Sequence, residues 1–394
     1  HDAGTGAWIM IDAMLERRFP DAAAMETVAL RRIPGFVRGY MAGGIGAEGC
    51  LGRNRSELDA VRLMPCYLCE EFEPDLAVEI AGARWAAPFG VAPLGLGGLI
   101  WPGAEQAIAR AAAGAAIGHV LSTYATTAME GIAPLAGPGA AFQLYPPADP
   151  GMEADMIARA HGSGYRVLMV TVDIPGPTRR RRDIMSGLSV PPRFGLRMGL
   201  EVMGSPRWAL GMACRGIPEF QNLSPYFPKG GVAAASEFLG RMMIGHIGPA
   251  RLARIRAAWP GRLIVKGVLD PDEAAEALVL GADGIVVSNH GGRQLDAAPT
   301  AVDVLPAMRA RLGEGALILA DGGVRSGLDM ARLIGLGADA VLVGRPFLHA
   351  VAAAGARGPA HLTAVLRDEL RTAMIQLGAR TLVDLRRRVW RRDA

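Results

Sequence analysis

Leu317-Ile-Leu-Ala-Asp-Gly-Gly-Val-Arg-Ser-Gly-Leu-Asp-Met-Ala-Arg-Leu-Ile-Gly-Leu-Gly-Ala-Asp-Ala-Val-Leu-Val-Gly-Arg345 is the stretch that decides the fold. A short apolar run ends in Asp321-Gly-Gly, a helical Leu/Ala-rich stretch follows, and a second apolar run ends in Gly344. Apolar runs this short, bounded by glycines, fit buried strands, and the stretch between them fits a helix. Strands that alternate with helices pair in parallel through right-handed crossovers. Working outward, the same unit recurs from about residue 87. The strand candidates are Pro88–Pro93, His119–Ser122, Ala141–Tyr145, Val167–Asp173, Leu263–Lys266, Gly284–Ser288, Leu317–Asp321 and Ala340–Gly344. Eight such units predict an α/β fold, a closed (β/α)8 barrel. The alternative is an open doubly wound sheet, but no Gly-x-Gly-x-x-Gly follows the first strand, and Gly95-Leu-Gly97-Gly98 has the wrong spacing for one.

We read residues 1–394 as a single domain. Residues 1–86 form a lead-in with helices at Asp12–Arg18 and Pro34–Met41 and a β-rich piece at Leu76–Ile80. The barrel takes 87–183 and 246–350, and C-terminal helices take 351–394. Residues 184–245 interrupt the repeat after the fourth strand, and an insertion that long is expected to be functional or mobile. Within it, Phe194–Met203 carries apolar residues at 196, 200 and 203 and again at 194, 198 and 202, which predicts a helix apolar over most of its surface. Trp85–Ala104 has twenty residues without a charge, but three prolines and five glycines favour a buried strand and tight loop over a membrane span.

Composition narrows the class. An apolar fraction of 51% and a charged fraction of 20% describe a globular chain with a sizeable core. A net charge of +4, with its densest run only Arg179–Arg182, does not predict a nucleic-acid binder. It suits small anions or weak attraction to an anionic membrane. Four cysteines are too few for a disulfide framework, and Cys66-x-x-Cys69 lacks the second pair or histidine of a zinc site, so no metal is expected. No basic and then apolar leader opens the sequence, and the expectation is a cytoplasmic protein.

The C-terminal ends of barrel strands form the active face. Read in order, those ends carry Ser122, Gln143 and Tyr145, Thr171 and Asp173, Lys266, Ser288 and His290, Asp321, and Gly344 with Arg345. The sharpest element is Ser288-Asn-His-Gly-Gly-Arg-Gln-Leu-Asp296. An imidazole at 290 can act as a base near neutral pH, the glycines after it let a ligand approach, and the fork of Arg293 can grip a carboxylate. Asp173 could orient the imidazole, whereas His119 reads as a packing residue. Only two of the 42 basic residues are lysines, Lys229 and Lys266. Lys266 ends the fifth strand, where an ammonium suits a delocalised negative charge; a Schiff-base lysine is the rival reading. The Gly-rich ends of the last two strands, with Asp321, Gly323, Arg325, Gly344 and Arg345, suit a phosphorylated ligand or cofactor.

These residues resemble the FMN-dependent α-hydroxy acid dehydrogenase/oxidase family, from about Pro34 to the C-terminus, and Ser288–Asp296 matches its signature. The likeness is strongest to the mandelate-type members, through Ala92-Pro-Leu-Gly-Leu-Gly97 and, in the insertion, Pro191-Pro-Arg-Phe and Pro206-Arg-Trp. The resemblance implies FMN and oxidation of a 2-hydroxy acid, mandelate-like before lactate, by His290 with Asp173. It implies that Arg180 and Arg293, with Tyr40 and Tyr145, hold the substrate. It places Ala92, Pro93 and Leu94 against the flavin ring, with Ser122, Gln143, Thr171, Lys266 and Ser288 around it. Asp321, Gly323, Arg325, Gly344 and Arg345 would take the ribityl and phosphate end. It further implies a quinone or other electron acceptor, a homotetramer, and peripheral contact of the insertion with the inner face of the cell membrane. Oxygen as acceptor and an FMN-barrel isomerase are the alternatives. Met41, Tyr124 and Gly95 depart from many members, and all three would border the substrate.

Overall fold

The computed structural model describes residues 13–176, 178–187, 195–228, 237–240 and 245–390. Two short strands, β1 (Val78–Ile80) and β2 (Ala83–Trp85), form an antiparallel hairpin ahead of the repeat. Eight more follow: β3 (Phe89–Leu94), β4 (Gly118–Ser122), β5 (Ala140–Leu144), β6 (Val167–Thr171), β7 (Arg262–Val268), β8 (Gly284–Val287), β9 (Leu317–Ala320) and β10 (Ala340–Val343). They close in sequence order, and β10 pairs in parallel with β3 through Val341 opposite Phe89. The closed (β/α)8 barrel expected from the repeat is the observed fold. Several strands stop one or two residues before the expected ends, so Tyr145, Asp173, Ser288, Asp321 and Gly344 stand in the first turn of the loops.

Successive side chains of a strand face opposite sides, so every second residue enters the barrel. An inner apolar floor is made by Ala92, Val120, Ala141, Met169, Ile264, Val286, Leu319 and Leu342, one from each strand. Two residues further along each strand stand Leu94, Ser122, Gln143, Thr171, Lys266, Ser288, Asp321 and Gly344. The alternation thus sets a largely polar ring directly on an apolar floor. Outward-facing residues such as Phe89, Phe142, Leu168, Val265 and Ile318 pack under the helices in the larger core. Those helices are held at their starts: Ser326 and Thr300 make capping boxes, and Asp149 and Asp270 accept from backbone N–H groups.

The β1–β2 hairpin stoppers the opposite end of the barrel, with Ile80 and Trp85 joining the inner apolar cluster. The expected lead-in strand at Leu76–Ile80 is thus one arm of this plug. Helices Gly35–Ala42 and Gly49–Ala60 lie at the other end, over the polar ring. Between β6 and β7 run helices Arg181–Ser186, Leu196–Met203 and Pro206–Arg215, a 3-10 turn at Ser224–Tyr226, and helix Pro249–Ala258. The expected helix at Phe194–Met203 appears as Leu196–Met203; Phe194 itself and Pro191-Pro-Arg193 fall outside the described residues, as does Lys229. The expected apolar coverage is present on both sides. Met198 and Val202 pack toward the core, while Leu196, Leu200 and Met203 are exposed.

The plug depends on Gly118 of β4. A Cβ there would lie 2.1 Å from Cζ2 of Trp85. The Gly118→Ala variant is expected to lose about 1–3 kcal/mol of stability, as overpacked cores do. An unchanged thermal midpoint would show that Trp85 does not fix the barrel floor.

Candidate active site

The cavity at the strand ends has a volume of about 980 Å3. That is at the top of the range for cofactor and ligand pockets, roughly 300–1,000 Å3. Tyr40, Ala92, Pro93, Leu94, Ser122, Tyr145, Arg180, Lys266, His290, Arg293, Asp321, Gly323, Arg325, Gly344 and Arg345 all line it. Asp173, Gln143, Thr171 and Ser288 stand just behind them, bonded to one another or to lining residues.

His290 stands between two partners. Its Nδ1 lies 3.0 Å from Asp173 Oδ1, and its Nε2 lies 3.1 Å from the Tyr145 hydroxyl. A carboxylate only accepts, so Nδ1 carries the proton and Nε2 presents its lone pair to the cavity side. Burial pushes the Asp173 carboxyl up, but the charge His290 carries when protonated, the hydrogen bond it donates and the charge of Lys266 outweigh it and hold the group below its ordinary value. Tyr145 is pushed well above the ordinary phenol range, first by burial and then by Asp173, so it remains a donor. Asp173 reaches the imidazole because β7 bulges at Gly267, whose φ is +100°. A Cβ there would lie 2.5 Å from Cγ of Asp173.

His290 itself has φ +59°, a left-handed conformation unusual for a side chain. Its backbone N–H donates to Ser288 Oγ at 3.0 Å. The next turn is clamped from the lead-in: Asn54 and Asn289 exchange amide hydrogen bonds of 2.9 and 2.8 Å, and Asn289 Oδ1 also accepts from Gly292 N–H. Asp296 accepts from the Ala47 and Cys50 N–H groups. Sequence reading missed Asn54. It lies 235 positions from its partner and belongs to no local motif, so nothing in the sequence could have found it.

The Lys266 ammonium donates to Ser288 Oγ and Asp321 Oδ2, each at 2.6 Å. Ser122 Oγ donates to Gln143 Oε1 at 3.0 Å, and Gln143 Nε2 donates to Thr171 Oγ1 at 2.8 Å. The polar ring therefore forms two linked sets. Asp321 Oδ1 is buried and has no hydrogen-bond partner among the described residues.

Cations crowd the rim. Arg293 donates to the Tyr40 and Gly43 carbonyls, and Arg345 donates to the Met41 and Gly43 carbonyls, so both close the end of helix Gly35–Ala42. Burial and the charges of Arg293 and Arg325 pull Arg345 down to about 9. Arg293 and Arg325 are lowered too, in both cases chiefly by burial. So much positive charge, this poorly balanced, is a receptor for anions. Arg180 Nε and Arg293 Nη2 are buried and find no hydrogen-bond partner among the described residues. Among those residues no cluster of His, Cys, Asp and Glu could hold a metal ion.

Comparison with known proteins agrees with this architecture. The model of the FMN-dependent dehydrogenase family matches residues 29–392. The L-lactate dehydrogenase of Bartonella tribocorum (strain CIP 105476 / IBS 506) is 41% identical over 361 residues, covering 91% of this chain and 94% of its own length. That of Ectopseudomonas mendocina (strain ymp) is 38% identical, covering 91% and 95%. Among solved structures, a monotopic membrane protein, (S)-mandelate dehydrogenase, superposes with a TM-score of 0.87 at 31% identity, over 93% of this chain and 97% of that one. A mandelate oxidase structure gives 0.78 at 33% identity, over 94% and 97%. The barrel, its strand-end ring and these matches define a flavin-dependent oxidoreductase. The chain belongs to the FMN-dependent dehydrogenase family, and its cofactor is FMN.

The residues present fit that group. Asp321 Oδ1 can accept from a ribityl hydroxyl, and the buried Lys266 ammonium suits a ring that gathers negative charge. The ten-residue helix Arg345–Ala354 starts at Gly344 with no side-chain cap, which leaves N–H groups and its positive end for a phosphate. Arg325 lines the same cavity, with its guanidinium 3.8 Å from the Glu26 carboxylate. Arg325→Met is expected to weaken FMN retention by roughly 10- to 150-fold, the worth of one charged hydrogen bond. Fluorescence titration of the apoprotein with FMN measures it, and unchanged affinity would remove Arg325 from the phosphate site.

Proposed function

We propose that this chain oxidises a 2-hydroxy acid to the 2-oxo acid, with FMN as the immediate electron acceptor. The observation that carries the reading is His290. It is a base oriented by Asp173, bonded to Tyr145, and on the same cavity wall as two arginines with unspent donors. FMN bound in this cavity supplies a two-electron sink. Arg180 and Arg293 hold the substrate carboxylate, with Tyr40 beside it and Tyr145 at the substrate hydroxyl. His290 Nε2 takes a proton from the substrate, and the Asp173 carboxylate steadies the imidazolium that results. Ala92, Pro93 and Leu94 form the wall against the ring, and Ser122, Gln143, Thr171, Lys266 and Ser288 bind its edge. Asp321, Gly323, Arg325, Gly344 and Arg345 secure the ribityl and phosphate end.

The substrate end favours an aryl group. Tyr124 lies against Tyr145 and Phe220, with ring centroids 5.1 and 5.3 Å apart, and makes an aromatic wall. Gly95 adds no side chain opposite it; a Cβ there would come within 3.3 Å of both Tyr124 Cβ and the Tyr40 hydroxyl. Met41 is buried on the cavity lining and can adapt to a ring. The mandelate names of the structural neighbours support this choice, and the lactate names of the sequence relatives make lactate the second reading. Anaerobic titration decides both points. The wild-type protein should bleach faster with (S)-mandelate than with L-lactate. His290→Gln should retain FMN yet bleach ~10²–10⁴-fold more slowly, the usual worth of a positioned base. A preference for lactate would overturn the aryl assignment, and near-normal bleaching of the variant would overturn the mechanism.

The segment between β6 and β7 supports membrane contact and a membrane quinone as the final acceptor. Leu196, Leu200 and Met203 share one face of their helix and are 83%, 56% and 69% exposed. Arg197 flanks them, with its side chain 82% exposed, and Leu210 and Ile217 are further exposed apolar residues of the segment. No helix among the described residues is long and apolar enough to cross a membrane, so the contact lies in the interface. Replacing Leu196, Leu200 and Met203 together with Ser should weaken binding to anionic lipid vesicles by at least ~10-fold. Co-sedimentation measures it, and a parent protein that ignores such vesicles would end the membrane reading.

A further inference from the structure

Asp183 lines the same cavity as Arg180 and Arg293 and has no task in the reading of those two as the carboxylate site. Asp183 stands on helix Arg181–Ser186, three residues past Arg180, with its side chain only 15% exposed. Its Oδ2 lies 3.9 Å from Arg180 Nη1 and also 3.9 Å from Arg293 Nη2. It lies between the two guanidiniums without bonding to either. Ion pairs that hold this fold together close to contact: Lys266–Asp321 stands at 2.6 Å and Arg251–Glu153 at 2.7 Å. Asp183 Oδ1, Arg180 Nε and Arg293 Nη2 are all buried and find no hydrogen-bond partner among the described residues. Three polar atoms from three residues of one cavity wall are left for something that enters. Burial raises the Asp183 carboxyl above its ordinary value, against the opposing charges of Arg293 and Arg180.

We propose that Asp183 is a specificity-determining residue: it sets the carboxylate site to a net charge of one, so the site takes monoanionic 2-hydroxy acids and turns away dianionic ones. The inference rests on the carboxylate role of Arg180 and Arg293 proposed above. Two guanidiniums alone would welcome a dicarboxylate, because each could neutralise one charge. With Asp183 between them, a monoanion brings these three side chains to neutrality. A second carboxylate on the substrate would stand uncompensated in a buried place, facing a charge of its own sign, and buried unpaired charge is strongly disfavoured. The aspartate thus admits the acid group the chemistry needs and penalises a second one.

The test uses the FMN-loaded enzyme and two unreactive probes that share the phenyl group, phenylacetate and phenylmalonate, titrated at pH 8 by the change in flavin absorbance. Asp183→Asn should shift the ratio of the two dissociation constants toward phenylmalonate on the order of 10-fold, a modest share of the interaction of two charges about 4 Å apart. Asp183→Glu keeps the charge and should keep the parent ratio, which a purely structural role would not predict. Asp183→Ser removes the same charge and serves if the asparagine variant does not retain FMN. A ratio unchanged in the neutral variants, or shifted as far in the glutamate variant, overturns the proposal. Arg293→Met separates the two layers of the argument. If it binds phenylacetate as tightly as the parent, the carboxylate site is misassigned and the role of Asp183 falls with it. If it weakens phenylacetate while Asp183→Asn leaves the ratio unmoved, the carboxylate site stands and the role of Asp183 alone falls.

Discussion

A parallel strand offers alternate residues to the inside of a barrel, and everything at this site depends on that alternation. Eight strands with apolar residues in one inward layer must present their next inward residues in a second layer, two positions further on. Here the first inward residues run from Ala92 to Leu342 and the next inward ones include Ser122, Gln143, Thr171, Lys266, Ser288 and Asp321. A one-residue slip in any strand would send its polar residue outward under a helix, where nothing could satisfy it. The polar ring is therefore anchored by the same packing that builds the core. Lys266 shows the gain: it is almost fully buried, yet Asp321 and Ser288 meet it from the two strands that follow its own.

The lead-in acts on the site from above. Arg293 and Arg345 spend donors on the last carbonyls of helix Gly35–Ala42, and Ile45 N–H donates to the Gly292 carbonyl at 2.9 Å. The Asn54–Asn289 exchange and the Asp296 carboxylate add side-chain ties to helix Gly49–Ala60. A left-handed residue other than glycine costs on the order of 1 kcal/mol or more and persists only where its surroundings over-determine it. His290 meets that condition. The chain before the barrel supplies much of the restraint that aims the imidazole.

What could be read in the sequence follows from range. The eight strands and the polar ring were legible because alternation and the βα repeat are local properties of the chain. The pairing of His290 with Asp173 was legible because both sit at strand ends, which the barrel gathers. Five strand ends were read one or two residues too long, since the inside–outside alternation runs on past the last paired residue, whereas β3 and β7 were read one and two residues short. The partner of Asn289, the plug formed by Trp85, the bulge at Gly267 and the standoff of Asp183 were not legible. Each depends on how far two distant segments approach, and no spacing in the chain encodes a distance of that kind. Arg345 was assigned only to the phosphate, whereas several of its donors close a helix end.

The hairpin that carries Ile80 and Trp85 has a further meaning. Between it and the inner apolar layer the barrel holds only a void of about 20 Å3, lined by Trp85, Val120, Met169 and their neighbours. Among the described residues that void admits nothing larger than a water molecule, so the plugged end offers a ligand no lodging. The protein is a vessel with one mouth. A small molecule that reaches the large cavity does so from the side of the strand ends. The stopper at the floor thus gives the vessel a direction as well as a bottom: whatever binds is offered to it from the rim.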